Sequence, residues 1–177
     1  EEIGHQIDPK VIVPVELRKL FYTTFIKIME NENIDDIIEE LSTNGSLHRL
    51  LPYYVRLLSD LLAVNFHHPD HVTRILCITN ALLQNESLNF DSILHKMLAI
   101  ILAPLEHETT TSYEDSNTTF FDSQYKVRDD AASLLALIVH RFQFRFPSLT
   151  GILAERLTNV FFKEEFRRPF LLAKYGA

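Results

Sequence analysis

Apolar residues recur along most of this chain at i, i+3, i+4 and i+7, the spacing that lines one face of an α-helix. Pro14 suits an early helix position, where its missing N–H costs nothing, and Leu17, Leu20, Phe21, Thr24 and Ile28 follow on one face. Asn33 is a candidate N-cap for a second helix carrying Ile34, Ile37, Ile38 and Leu41, which Asn44-Gly45 should end. Pro52 opens a third, with Leu51, Tyr54, Val55, Leu58 and Leu62 as its stripe. Pro69 opens a fourth, with Val72, Ile75, Leu76, Leu82 and Leu83. Asp91 is the expected cap of a fifth, with Leu94, Met97, Leu98, Ile101, Leu102 and Leu105. No convincing alternating strand pattern interrupts the series.

Residues 106–122 are rich in Thr, Ser and acid and have no period, so they read as a polar insert. After it comes the most informative stretch. Val127, Ala131, Leu134, Leu135, Ile138 and Phe142 form one stripe, and Ala132, Ala136 and Val139 suggest a second. A helix apolar on two sides, with small alanines between, is expected to pack between two neighbours. Pro147 opens another helix with Leu149, Ile152, Leu153, Leu157, Val160 and Phe161, and Pro169 begins a short last one. The helices pair naturally, with first members starting near residues 14, 51, 91 and 147. Without the insert, every step is close to forty residues. That period predicts an all-α chain, an α-solenoid of about four antiparallel helix pairs that bury their faces by stacking on one another.

Composition narrows the functional classes. The chain is 46% apolar and 23% charged, which suits a folded chain of 177 residues, and four glycines are too few for a design rich in tight turns. No apolar run approaches membrane-spanning length. The first residues, Glu1 to His5, show no secretory signal, and the missing initiator Met leads us to expect a fragment of a longer protein. Cys77 is alone, so no internal disulfide is available, and its neighbours Ile75, Leu76 and Ile78 suggest a small buried hydrophobe in a reducing compartment. The net charge of −7 is uneven: residues 1–122 hold 8 Lys+Arg and 19 Asp+Glu, whereas residues 123–177 hold 9 and 5.

No phosphate loop, nucleophile elbow or zincin helix occurs, and an enzyme is not expected. His67, His68, Asp70 and His71 cluster around Pro69, but that proline should leave the first two in a loop and put Asp70 in a first helical turn, where an acid favours the helix dipole. Asp35, Asp36, Glu39 and Glu40 lie opposite an apolar stripe and read as a solvated face. Arg141, Arg145, Arg167 and Arg168, interleaved with Phe142, Phe144, Phe146 and Phe166, form a basic-aromatic rear. It reads equally as a partner or nucleic-acid surface and as core phenylalanines between solvated arginines.

Several blocks together resemble one family. They are Leu47-His48-Arg49-Leu50-Leu51-Pro52-Tyr53-Tyr54-Val55, Ala81-Leu82-Leu83-Gln84-Asn85, Leu94-His95, Val127-Arg128-Asp129 with Ala131-Ala132, Arg156-Leu157-Thr158 and Tyr175-Gly176-Ala177. In order and spacing they are similar to the C-terminal HEAT-repeat domain of TATA-box-binding-protein-associated factor subunit 6. Tyr125 stands where that family has Trp, Ala99 where it has Pro, and the polar insert is longer.

The resemblance implies a single HEAT-repeat domain over residues 1–177 with no cofactor. It implies a non-catalytic scaffold of the nuclear transcription factor TFIID in RNA polymerase II initiation. Its expected partners are other subunits of TFIID, and of SAGA in some lineages, with no membrane and no small-molecule substrate. In the resemblance, Val127, Arg128, Asp129, Ala131 and Ala132 are the structural motif, with Arg128 and Asp129 at a helix start bridging successive repeats. Two alternatives stay open: an adaptor in another multiprotein complex, and weak promoter-DNA contact through Arg141, Arg145, Arg167 and Arg168.

Overall fold

Pro14 sits immediately before the first helix, α1 (Val15–Met29), which buries Leu17, Leu20, Phe21, Thr24 and Ile28, the face that the spacing predicts. The computed structural model describes residues 13–30, 32–106 and 118–167. Helix α2 (Asp35–Thr43) follows and buries Ile37 and Leu41, with Ile34 covered just before it. Asn33 accepts a hydrogen bond from the Asp35 N–H at 2.8 Å, so it supplies the capping oxygen from one position earlier than a standard N-cap. The chain leaves α2 at Asn44, whose side chain accepts from Ser46 N and turns the backbone into a short 3₁₀ segment, Gly45–Arg49.

Helices α3 (Leu51–Asn65) and α4 (Pro69–Gln84) form the centre. Pro52 and Pro69 occupy first-turn positions, where no backbone donor is lost. Every stripe residue named for these two helices is buried, and Leu57, Leu61, Ile78 and Ala81 join them. A wider buried face is what a helix with neighbours on two sides needs, since α3 packs on both α4 and α5 (Leu94–Glu106). Thr24 and Thr79 lie wholly inside, and each hydroxyl donates to the carbonyl four residues earlier, Leu20 and Ile75, so neither is left unsatisfied.

The stacking follows the forty-residue period. The first helices of successive pairs meet through Phe21 and Tyr54, whose rings are 5.1 Å apart and nearly perpendicular, and α3 in turn meets α5. The second helices meet where α2 packs on α4. Within the first pair, Lys27 on α1 bonds Asp36 on α2 at 2.9 Å. Among the described residues there is no strand, and the fold is an all-α solenoid.

Three expectations are corrected. Asp91 is not at the N-cap position: it lies in a turn three residues before α5, which begins at Leu94. Helix α6 (Thr118–Phe142) starts inside the stretch read as a polar insert, because Thr118 to Asp122 lack an apolar period but contain no glycine or proline to stop a helix; residues 107–117 lie outside the described residues. The second stripe of α6 is not a buried face: Ala132 and Ala136 are exposed and Val139 is half-buried. Alanine is the best helix former and carries little apolar area, so it occurs on solvated faces and misleads a count of apolar positions.

Contacts divide the chain into two compact units between Leu135 and Ala136. The second unit contains the end of α6 and α7 (Leu149–Arg167), in which Leu149 and Leu153 are buried but Ile152 is exposed. The short helix expected from Pro169 lies outside the described residues.

Candidate protein-interaction surfaces

The structure separates the residues singled out by sequence into packing and surface. In the block Val127 to Ala132, Val127 and Ala131 are buried, Arg128 is half-buried, and Asp129 and Ala132 face solvent. Because α6 begins at Thr118, Arg128 and Asp129 sit well inside the helix rather than at its start. Their charges therefore act from the side of α6 and not on its terminal N–H groups.

The histidines fall as the proline predicts. His68 precedes α4, Pro69 is its first residue, and Asp70 lies in the first turn. The His68 and His71 rings stand edge to face at 5.6 Å. Among the described residues, no three His, Cys, Asp or Glu side chains converge as metal ligands would. Cys77 is half-buried, and that burial pushes its thiol up, with the nearby carboxylate of Asp130 adding to the effect. A thiol kept protonated is a poor nucleophile. On α2, the Lys27 ammonium bonded to Asp36 holds its carboxyl below the usual carboxylate range, while Asp35, Glu39 and Glu40 remain solvated.

The basic-aromatic rear resolves into distinct parts. Phe142 is buried, Phe146 is half-buried, and their rings lie 6.5 Å apart. The Arg141 guanidinium sits over the Phe142 ring, 5.4 Å from its centroid. Arg145 is exposed, and Phe144 is 88% exposed. The side chains of Phe166, Arg167 and Arg168 lie outside the described residues.

Two further surfaces were not legible as motifs. A groove of 530 Å³ opens where the turn before α2, the start of α4 and the first half of α6 converge; Glu32, Asp35 and Asp70 line it together with Arg74 and Lys126. Arg74 reaches across it to donate to the Glu32 carbonyl. These residues come from three distant segments, so no local spacing could reveal them. On α1, Val15, Tyr22, Ile26 and Met29 are exposed on the side opposite the buried face. Their helical spacing was present in the sequence, but a stripe does not say whether a neighbour covers it.

Comparison with known proteins agrees with this architecture. The profile of the TAF6 C-terminal HEAT repeat domain matches residues 10–177. The chain is 23% identical over 142 residues to the transcription initiation factor TFIID subunit 6 of Arabidopsis thaliana, covering 80% of this chain and 24% of that protein. It is 27% identical over 142 residues to the SAGA complex/transcription factor TFIID complex subunit Taf6 of Schizosaccharomyces pombe, covering 77% of this chain and 30% of that protein. The chain thus spans about a quarter of the length of the first of these relatives and less than a third of the second.

Proposed function

The chain belongs to the TAF6 C-terminal HEAT repeat domain family, and on that premise we propose that it is a non-catalytic scaffold within a nuclear transcription factor assembly of the TFIID type. The observation that carries this reading is the match over residues 10–177, which takes in every helix among the described residues. Stacked helix pairs form a stiff body with a large surface for its mass, suited to holding other subunits at fixed separations. The relatives are named as subunits of TFIID and, in the fission yeast protein, of SAGA as well. The partners we propose are accordingly the other subunits of such a complex, and the site of action is the nucleus.

Affinity purification of the intact protein from nuclear extract, followed by mass spectrometry, tests the proposal. Recovery of the other subunits of a TFIID or SAGA complex in constant ratio to this chain supports it. Recovery of a transport or phosphatase complex instead would establish the adaptor alternative.

A second reading, contact with promoter DNA, has one observation in its favour: the excess of cations in residues 123–177, with Arg145 exposed among them. Such binding would weaken steeply with salt, and charge reversal at Arg141 and Arg145 would reduce the salt slope by about two phosphate contacts. A flat salt dependence excludes it.

A further inference from the structure

Between α6 and α7 the chain makes a tight turn held by a series of backbone hydrogen bonds. Gln143 N donates to Val139 O at 2.9 Å, and Arg145 N and Phe146 N both donate to Phe142 O, at 3.0 and 2.8 Å. Leu149 N then donates to Phe146 O at 2.9 Å, leading into α7. The phenylalanines of this turn have different roles. Phe142 is buried, and Phe146 leans toward it with ring centroids 6.5 Å apart, so these two seat the turn. Phe144, between them, points outward and has the highest exposure among the large hydrophobic side chains of the described residues.

A single exposed phenylalanine is ordinary on a protein surface. Three things set this one apart. Its backbone is fixed by hydrogen bonds on both sides, so a partner would have little chain to order on binding. It stands between two arginines in the chain, Arg141, whose guanidinium stacks over the Phe142 ring, and Arg145, which is exposed. Finally, the region carries an excess of cations, with nine Lys+Arg against five Asp+Glu in residues 123–177. A rigid aromatic side chain beside arginines is the composition that concentrates binding energy at protein interfaces. A surface for duplex DNA would draw mainly on the cations, since most of its contacts go to phosphate and sugar.

We propose that Phe144, between Arg141 and Arg145 in the chain, is the anchor by which this chain docks onto a protein partner offering an apolar pocket with carboxylates on its rim. The ring fills the pocket and excludes water, and the guanidinium groups meet the carboxylates, for which their planar fork is suited. This inference rests on the scaffold reading, and names the kind of surface such a scaffold takes hold of.

A photoreactive benzoylphenylalanine placed at position 144 of the intact protein, irradiated in the purified complex and mapped by mass spectrometry, tests it. The expected crosslink lands on an apolar segment of another subunit with Asp or Glu close by. A crosslink to nucleic acid, a crosslink to a second copy of this chain, or no crosslink from a chain present in the complex overturns the inference while leaving the scaffold reading intact. Absence of the chain from any such complex overturns both. In parallel, F144A should weaken incorporation about tenfold or more, and F144Y much less. Because Phe144 is 88% exposed, F144A should melt with the wild type; incorporation equal to wild type would sink the anchor.

Discussion

The side-chain amide of Asn85, at the end of α4, donates to the backbone carbonyl of Leu41, near the end of α2, at 2.9 Å. The same nitrogen donates to the Asn44 carbonyl at 3.0 Å. Asn85 is almost fully buried, so this one amide ties the last carbonyls of the first helix pair to the end of the second. Those carbonyls have no partner within their own helix and would otherwise need water. Asn85→Ala removes the donor and leaves buried acceptors behind, at a cost of about 1–3 kcal/mol. In a chain of this size the melting temperature should drop by roughly 3–10 °C. Calorimetry on the variant checks this, and an unchanged transition would mean that water replaces the amide.

Directly beside that joint, Gly45 lies close to the turn after α4. A Cβ at position 45 would come within 3.2 Å of both Cβ and Oγ of Ser87. The reason for glycine here is therefore the approach of two turns from successive pairs. Gly45→Ala should destabilise by about 1 kcal/mol, the usual scale for mild overpacking. Ser87→Gly in the same chain removes the opposing atoms and should recover part of the loss. A double-mutant cycle in urea measures the coupling, and purely additive effects would refute the contact as the cause.

Much of the architecture was legible because it is local. The stripe of α1 was identified residue for residue, and the prolines at 14, 52 and 69 marked helix starts, because each constraint acts within a turn or two. The start of α6 was missed because a polar helix has no apolar period to detect. Ala132 and Ala136 misled because a methyl group contributes to a hydrophobic count whether or not anything covers it. Surface features were harder still. Three of the rear phenylalanines, equivalent in sequence, separate into two that seat a turn, Phe142 and Phe146, and one that faces water, Phe144, only once the turn is folded. The groove at Arg74 needs three distant segments in place at once.

Arg128 is half-buried on α6, between the buried Val127 and Ala131. We propose, from its place in the family motif, that it bridges neighbouring repeats. Arg128→Ala should then lower the melting temperature by about 2–4 °C, the shift expected for the loss of about 1 kcal/mol. Arg128→Lys should recover only part of it, since an ammonium cannot reproduce the planar fork. A variant that melts with the wild type would remove the bridging role, and the comparison is best made at low and high salt, because an exposed ion pair would be screened and a half-buried one less so.

Tyr54 packs its ring against Phe21, yet its hydroxyl is buried without a hydrogen-bond partner. Thr24 is its polar neighbour, but the hydroxyl of Thr24 donates to Leu20. Burial pushes the Tyr54 phenol well above its ordinary value, and the carboxylate of Glu40 adds to the shift. The sign of the pH dependence follows. In the folded chain the phenol stays neutral, whereas in the unfolded chain it ionises above about pH 10, so the unfolded state binds fewer protons there. The stability contribution is fully present below that value and is lost as pH rises, at a limiting slope of about 1.4 kcal/mol per pH unit. Tyr54→Phe keeps the ring and removes both the unsatisfied hydroxyl and the ionisation. It should be neutral or stabilising by about 1 kcal/mol at pH of about 8, and its advantage over the wild type should grow above pH of about 10. Urea denaturation of the two proteins on either side of that value makes the comparison, and an advantage that does not grow with pH would show that the phenol is solvated.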